Sequence, residues 1–231
     1  MEFPQVLLVV GVIALFALFA YASWRARQQR KKDLAALAAR LGLRWSEGDH
    51  AGVGPRFEPL FDDLRTGSNR YAYNVIAGRN GAHEIWMFDH HHETYSTNSK
   101  GHRQTHHHHR SFVALGHDVD LGAVDLRPEG LFDKVKAAFG FDDIDFESGE
   151  FSSRFHVKSS DRKLAYEIFH PQMIEYLLPL RDLRLTTAGS HLLLRRGGVL
   201  KPLQFEQTLR DGVGFLERLP RYLRKDRGAG G

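Results

Sequence analysis

The 231-residue chain contains no cysteine. This absence excludes disulfide bonds, thiolate zinc sites, iron–sulfur clusters and a cysteine nucleophile. It also suits a reducing compartment, in which disulfide bonds do not persist. Any function of this protein must therefore be built without thiol chemistry.

Charge is missing from the stretch between Phe3 and Trp24, which is almost entirely Leu, Val, Ile, Phe, Ala and Gly. As a helix this stretch would span roughly 33 Å, and the hydrocarbon core of a bilayer is about 30 Å thick. Tyr21 and Trp24 lie at its C-terminal end, where aromatic rings favour the headgroup layer. We therefore predict a transmembrane helix over residues 3–24, with the lipid bilayer as its partner.

Positive charge is confined to one flank of this stretch. Glu2 is the only charged residue before it, and five basic residues follow it: Arg25, Arg27, Arg30, Lys31 and Lys32. Positive flanks stay in the cytoplasm, so we predict an outward N-terminus and a cytoplasmic remainder at a bacterial inner membrane. Residues 25–43 are predicted to form a basic juxtamembrane helix.

Two alternatives to a retained anchor are a cleaved signal peptide and a buried core helix. The sequence Ala20-Tyr21-Ala22 resembles a cleavage site. A signal peptide, however, carries its positive charge before the apolar stretch, whereas here the charge follows it. A core helix this uniformly apolar at the start of a chain would also be unusual, so the anchor is the favoured interpretation.

The rest of the chain has no excess charge. Of 32 basic and 28 acidic residues, the first 32 positions hold five and one, which leaves 27 of each. A protein that binds a phosphate backbone needs a basic field. We therefore predict no nucleic-acid partner.

The soluble part is predicted to be an α+β domain over residues 44–223. Strands are expected over residues 70–77 and 83–95, joined by a tight turn at Asn80-Gly81, and a third strand follows a polar tip at residues 96–104. This antiparallel β-meander precedes a half in which strands and helices mix, including a helix over residues 129–139 and a strand over 151–157. A division into sub-domains could fall near residues 118–124, and residues 224–231 are predicted to be a disordered tail.

Three stretches carry a family resemblance. They are residues 33–43 directly after the anchor, residues 126–131 and residues 143–148 followed by Phe151 and Arg154-Phe155. Together they resemble a widespread family of uncharacterised bacterial single-pass membrane proteins. The resemblance implies an inner-membrane location and brings no activity, cofactor or catalytic residue.

Motifs of common enzymes are absent. The sequence has no Walker loop, no G-x-S-x-G elbow and no H-E-x-x-H. We therefore favour a protein that is not an enzyme, and an enzyme with a nonstandard site is the third alternative. The favoured function is a membrane-tethered cytoplasmic module for protein interaction or envelope-associated regulation, with an unknown membrane or cytoplasmic protein as its partner.

Histidines are concentrated in the predicted second hairpin, where ten of the 14 lie between His83 and His117. If Tyr95 pairs with Gln104, then His90, His92, His107 and His109 share one face of the hairpin. Directly opposed side chains have Cβ atoms about 5 Å apart, within reach of a shared metal ion. Neutral imidazoles favour Zn, Ni or Cu over Mg or Ca, so metal binding or metal sensing by these four residues is the alternative function.

Two other interpretations of the histidines remain open. A polar hairpin in water tolerates histidine without using it, and such a tract binds metal in solution whether or not it does so in a cell. Clustered imidazoles could also sense protons, because they repel one another once charged.

Overall fold

The chain begins with one long helix, α1 (Phe3–Arg40), in a computed structural model that describes residues 3–99, 101–129, 144, 146–180 and 182–226. Its 38 residues extend roughly 57 Å. Side chains 10–22 are all exposed, and within the described residues α1 alone is long and apolar enough to cross a membrane. Gly42, with a φ of +68°, ends the helical course in the left-handed region that favours glycine. The predicted span and juxtamembrane helix are therefore one unbroken helix.

The domain is built on one antiparallel sheet of eight strands. The spatial order is β1-β2-β3-β4-β8-β7-β5-β6, and every pair of neighbours is antiparallel. The strands are β1 (Arg44–Gly48), β2 (Ser68–Asn80), β3 (His83–Thr97), β4 (Arg103–Gly116), β5 (Ala123–Pro128), β6 (Phe155–Ser159), β7 (Arg184–Ala188) and β8 (His191–Arg195). The predicted α+β class and the β-meander are confirmed. The sheet includes strands from both sides of residues 118–124.

Helices cover the sheet on both faces. They are α2 (Val53–Phe57), α3 (Asp62–Arg65), α4 (Gly149–Ser152), α5 (Arg162–Ile168), α6 (Pro171–Leu177), α7 (Pro202–Glu217) and α8 (Arg221–Asp226). One face, which we call the α1 face, packs its buried side chains against the C-terminal half of α1 and against α5–α7. The other, the α2 face, packs against α2 and α3.

Some local predictions differ from the structure. Residues 151–157 were expected to be a strand, but α4 occupies the first part and β6 begins only at Phe155. Ser148 caps α4 by accepting a hydrogen bond from the Phe151 N–H, which favours the helical turn. The predicted helix at residues 129–139 and most of the predicted tail lie outside the described residues.

A buried carboxylate ties α1 to the sheet. Asp89 of β3 is 0% exposed and accepts bonds from Arg30 Nη2 at 2.8 and 2.9 Å, Asn74 Nδ2 at 2.9 Å and Ser111 Oγ at 2.5 Å. Arg30 also donates from Nη1 to the Leu200 carbonyl at 2.7 Å. Asn74 lies at an irregularity in β2 with a φ of +50°, and this bulge directs its amide to Asp89. We call this set the Arg30–Asp89 lock.

The β3–β4 hairpin extends beyond the rest of the sheet. β3 and β4 pair as far as Thr97–Arg103, whereas β2 stops at the Ser68–Glu93 pair and β8 reaches only Phe112. Residues 94–106 therefore form a two-stranded projection, which we call the arm.

The arm points toward the end of the domain from which the membrane helix leaves. The C-terminal end of α1 lies at the β2–β3 turn, where Asn80 Nδ2 donates to the Leu41 carbonyl at 2.9 Å. Arg30, farther toward the N-terminus of α1, lies at Asp89, farther along β3 toward the arm. α1 is therefore antiparallel to β3, and the arm and the span leave at the same end.

Candidate metal centre on the histidine-rich hairpin

The register of the hairpin differs by one residue from the prediction. Tyr95 pairs with Thr105, where Gln104 was expected, so His91 lies opposite His109 and His92 opposite His108. His90 and His92 consequently face α2, and His107 and His109 lie on the α1 face. The predicted set of His90, His92, His107 and His109 is therefore not brought to one face.

The turn of the hairpin explains the shift. Thr97 and Arg103 form the last pair, which leaves a turn over residues 98–102. Asn98 closes this turn: its N–H donates to the His102 carbonyl at 3.0 Å, and its side-chain Oδ1 accepts from the His102 N–H at 2.9 Å. Gly101 supplies a φ of +78°. A turn of this length sets Thr105 opposite Tyr95.

The histidines on the α2 face are not arranged as a ligand set. His90 is 1% exposed, packs edge-on against Phe112 and has no hydrogen-bond partner for either ring nitrogen among the described residues. Burial, followed by the neighbouring His92, lowers the pKa of His90 to about 4. His92 stacks on His108 with ring centroids 4.7 Å apart, and burial followed by Arg110 lowers its pKa to about 4 as well. Both rings are held neutral within or beside the core.

On the α1 face, three side chains converge. His91 Nε2 lies 3.2 Å from His107 Nδ1, and the same His107 Nδ1 lies 3.5 Å from Glu93 Oε1. One ligand atom from each of these residues lies within 4.8 Å of the others. The convergence follows from the strand geometry, because His91 and Glu93 are two apart on β3 and His107 is directly opposite Glu93.

Asn69 of β2 supports two members of this group. Its carbonyl lies 3.0 Å from His91 Nδ1, and its side-chain amide donates to Glu93 Oε1 at 2.7 Å. Asn69 has a φ of +48°, a conformation that asparagine tolerates better than most residues. Tyr95 donates to Glu93 Oε2 at 3.0 Å. The bonds from Asn69 and Tyr95 lower the pKa of Glu93 and so keep its carboxylate ionised.

Aromatic side chains of β2 enclose the same face. Tyr71 stacks on His91 with ring centroids 4.7 Å apart. The Tyr73 hydroxyl lies 2.9 Å from His109 Nδ1, and burial followed by the charge of Asp89 raises the pKa of Tyr73. Burial, followed by His91, lowers the pKa of His109. His109 thus borders the group while its Nδ1 is bonded to Tyr73.

Of the three converging side chains, the sequence predicted only His107; it missed His91 and Glu93, and also the supporting Asn69. The available signal was the His91-x-Glu93 spacing, since residues two apart on a strand share a face. That spacing is independent of the register, unlike the cross-strand histidine pairs. Asn69 had no such signal, because its role depends on how β2 pairs with β3.

Fold and site together define an α+β domain on a single apolar helix, with a His–Glu–His group on the hairpin beside that helix. No protein-family model and no curated protein matches the chain. The crystal structure of the mycobacterial trehalose monomycolate transport factor A, TtfA, is similar to it, with a TM-score of 0.59 and 16% sequence identity. The match covers 83% of this chain and 94% of TtfA, so the two share a fold.

Proposed function

We propose that the protein is a membrane-tethered module that presents the arm to a partner protein in an envelope-associated process. The observation that carries this proposal is the Arg30–Asp89 lock. It joins the membrane helix to the centre of the sheet without a flexible linker. A domain attached in this way keeps a defined orientation to the bilayer, and the arm lies at its membrane end.

The proposed location is the bacterial inner membrane, with the N-terminus outside and the domain in the cytoplasm. It rests on the five basic residues between Arg25 and Lys32. Membership of the bacterial single-pass family also stays a prediction, carried by the three stretches that suggested it.

The chemistry of the arm supports a protein partner. Tyr95 is 44% exposed, and the Arg103 guanidinium lies 3.5 Å above its ring. Exposed tyrosine and arginine side chains are enriched where proteins bind one another. TtfA is named as a trehalose monomycolate transport factor, and the shared fold supports proposing a related setting for this chain.

The proposal is tested by position-specific photocrosslinking in intact cells. A photoreactive residue replaces Gln104 on the arm or, as the matched control, the exposed Gln172 of α6. We expect a discrete adduct in the membrane fraction from position 104 and none from position 172. Equal labelling at both positions, or none at position 104, would contradict an arm that docks a protein.

Orientation is tested separately with a reporter that is active only outside the cytoplasm, fused after Gly231. We expect no reporter activity, because the basic flank holds the domain inside. The same reporter fused before Met1 is the control and should be active. The reverse pattern would overturn the proposed topology.

A further inference from the structure

We propose that His91, Glu93 and His107 form a binding site for a divalent transition-metal ion of the Zn²⁺ class. This site differs from the four-histidine set predicted from the sequence. It is also independent of the proposed docking function, since it concerns the α1 face at the base of the arm.

Two of the three separations between the ligand atoms are close to those around a tetrahedral ion, and all three atoms lie within 4.8 Å of one another. Zinc bonds to nitrogen and oxygen are about 2.0–2.2 Å long, so neighbouring ligands of a tetrahedron lie roughly 3.3–3.5 Å apart. The structure has 3.2 Å between the two imidazole nitrogens and 3.5 Å between His107 Nδ1 and Glu93 Oε1.

The tautomer of His91 that metal binding requires is already favoured, whereas His107 would release its Nδ1 proton when the ion binds. His91 Nδ1 lies 3.0 Å from the Asn69 carbonyl, a group that can only accept a hydrogen bond. His91 therefore carries its proton on Nδ1 and leaves a lone pair on Nε2, directed at His107. Such a bond from a histidine to a carbonyl is typical of metal-ligating histidines because it fixes the tautomer.

Hydrogen bonds also hold the side chain of Glu93 in place. Asn69 and Tyr95 each donate a hydrogen bond to one of its two oxygens, which fixes the carboxylate plane. Asn69 thus orients both ligands of β3 at once. Two imidazoles and one carboxylate are the donors that zinc, nickel and copper accept, whereas magnesium and calcium favour oxygen alone.

Access to the site comes from His107, whose side chain is 58% exposed, whereas His91 is only 4% exposed. One imidazole is therefore fixed in the protein, and the second lies open to solvent. Three protein ligands leave a fourth tetrahedral position, which we assign to water.

The test is zinc titration of the full chain in detergent, in competition with a chromogenic chelator. His107→Asn removes an exposed ligand, and Glu93→Gln keeps the shape of its side chain while removing the charge. We expect one high-affinity equivalent of Zn²⁺ per chain, weakened at least tenfold by each substitution. Asn69→Gly, which keeps the positive φ and loses the amide, should weaken binding by roughly 10–100-fold.

The matched control is His106→Asn. His106 is an exposed neighbour of His107 on the same strand, but its side chain lies on the other face. We expect less than a threefold change. Co²⁺ in place of Zn²⁺ should give the strong visible absorption of a four-coordinate site, and His107→Asn should abolish it. Equal losses for His106→Asn and His107→Asn, or no stoichiometric binding, would overturn the site.

Discussion

His117, immediately after β4, is a half-buried residue whose neutral ring accepts a hydrogen bond. The Val119 N–H donates to its Nδ1 at 3.3 Å, and its Nε2 is buried with no hydrogen-bond partner in the described part of the chain. Burial, followed by the neighbouring His191, lowers its pKa to about 4. Protonation would remove the acceptor that Val119 uses, so the folded protein keeps this ring uncharged.

His117 contributes to the pH dependence of stability, as do His90 and His92, whose pKa values are also lowered to about 4. Between pH 6.5 and about 4 the unfolded chain binds a proton at His117 that the folded chain does not, so the free energy of unfolding falls as the pH falls. We expect His117→Asn, which keeps an acceptor for Val119 and does not titrate, to recover roughly 1–2 kcal/mol at pH 5. Urea unfolding at pH 7.5 and pH 5 measures this. An identical pH dependence in both proteins would refute the role of His117.

At the residue scale, the sequence identified the histidine-rich hairpin but not which of its side chains lie opposite one another. The histidine count drew attention to β3 and β4, but residues 90–92 and 106–109 are polar on both faces, so no hydrophobic pattern fixed their register. A shift of one residue reversed the face of His107 and His109 relative to His90 and His92. The register depends on the turn that Asn98 closes, and the sequence did not reveal the length of that turn.

Among the elements, the contact of α1 with the sheet depends on the Arg30–Asp89 lock. Asp89→Asn would leave Arg30 without its countercharge and would replace one of the two oxygens that accept from Ser111 and Asn74 by an amide group that donates. Breaking such a buried pair costs about 3–5 kcal/mol, and the partial exposure of Arg30 favours the lower end. We expect thermal unfolding in detergent to show a drop of about 3 kcal/mol.

The control for the lock is its neighbour on the same helix. Lys31 pairs with Glu47 at 2.5 Å, and the Glu47 side chain is 67% exposed. Surface pairs of this kind contribute about 0–1 kcal/mol, so Lys31→Ala should change stability little. If Lys31→Ala and Asp89→Asn cost the same, the lock would not be the feature that holds α1.

The elements themselves were predictable where patterns were strong. Asp161 caps α5 by accepting from the Leu164 N–H, and Pro171 begins α6; aspartate and proline both favour the start of a helix. The lock was not predictable, because Arg30 belongs to a basic run that the bilayer also explains. The role of Asp89 was not predictable either, because it precedes three histidines in β3 and the sequence did not show which face of that strand is buried.

For the molecule as a whole, the anchor and the domain are separable at a defined point. Side chains 10–22 are exposed, whereas Arg30 is bonded to Asp89 and Leu200. We expect a protein that lacks residues 1–22 to keep the thermal midpoint of the full domain. A protein that lacks residues 1–32 also loses Arg30 and should unfold at a clearly lower temperature.

Circular dichroism melts of the two shortened proteins measure this difference. A third protein that lacks residues 1–32 and carries Asp89→Asn is the control, since the lock is already gone and the substitution should cost less than in the longer chain. Equal midpoints for the first two proteins would contradict a structural role for the segment between residues 23 and 32.

Because α1 is one unbroken helix, a change in its tilt would also change the position of the arm. A membrane helix changes its tilt when the thickness of the bilayer changes; with α1 in the proposed bilayer, the lock would transmit that rotation to β3. The arm extends roughly 26 Å beyond Asp89 at about 3.3 Å per residue, so a rotation of about 10° would move its tip by roughly 4–5 Å. The position of the hairpin above the headgroups would then report the state of the lipid around the anchor.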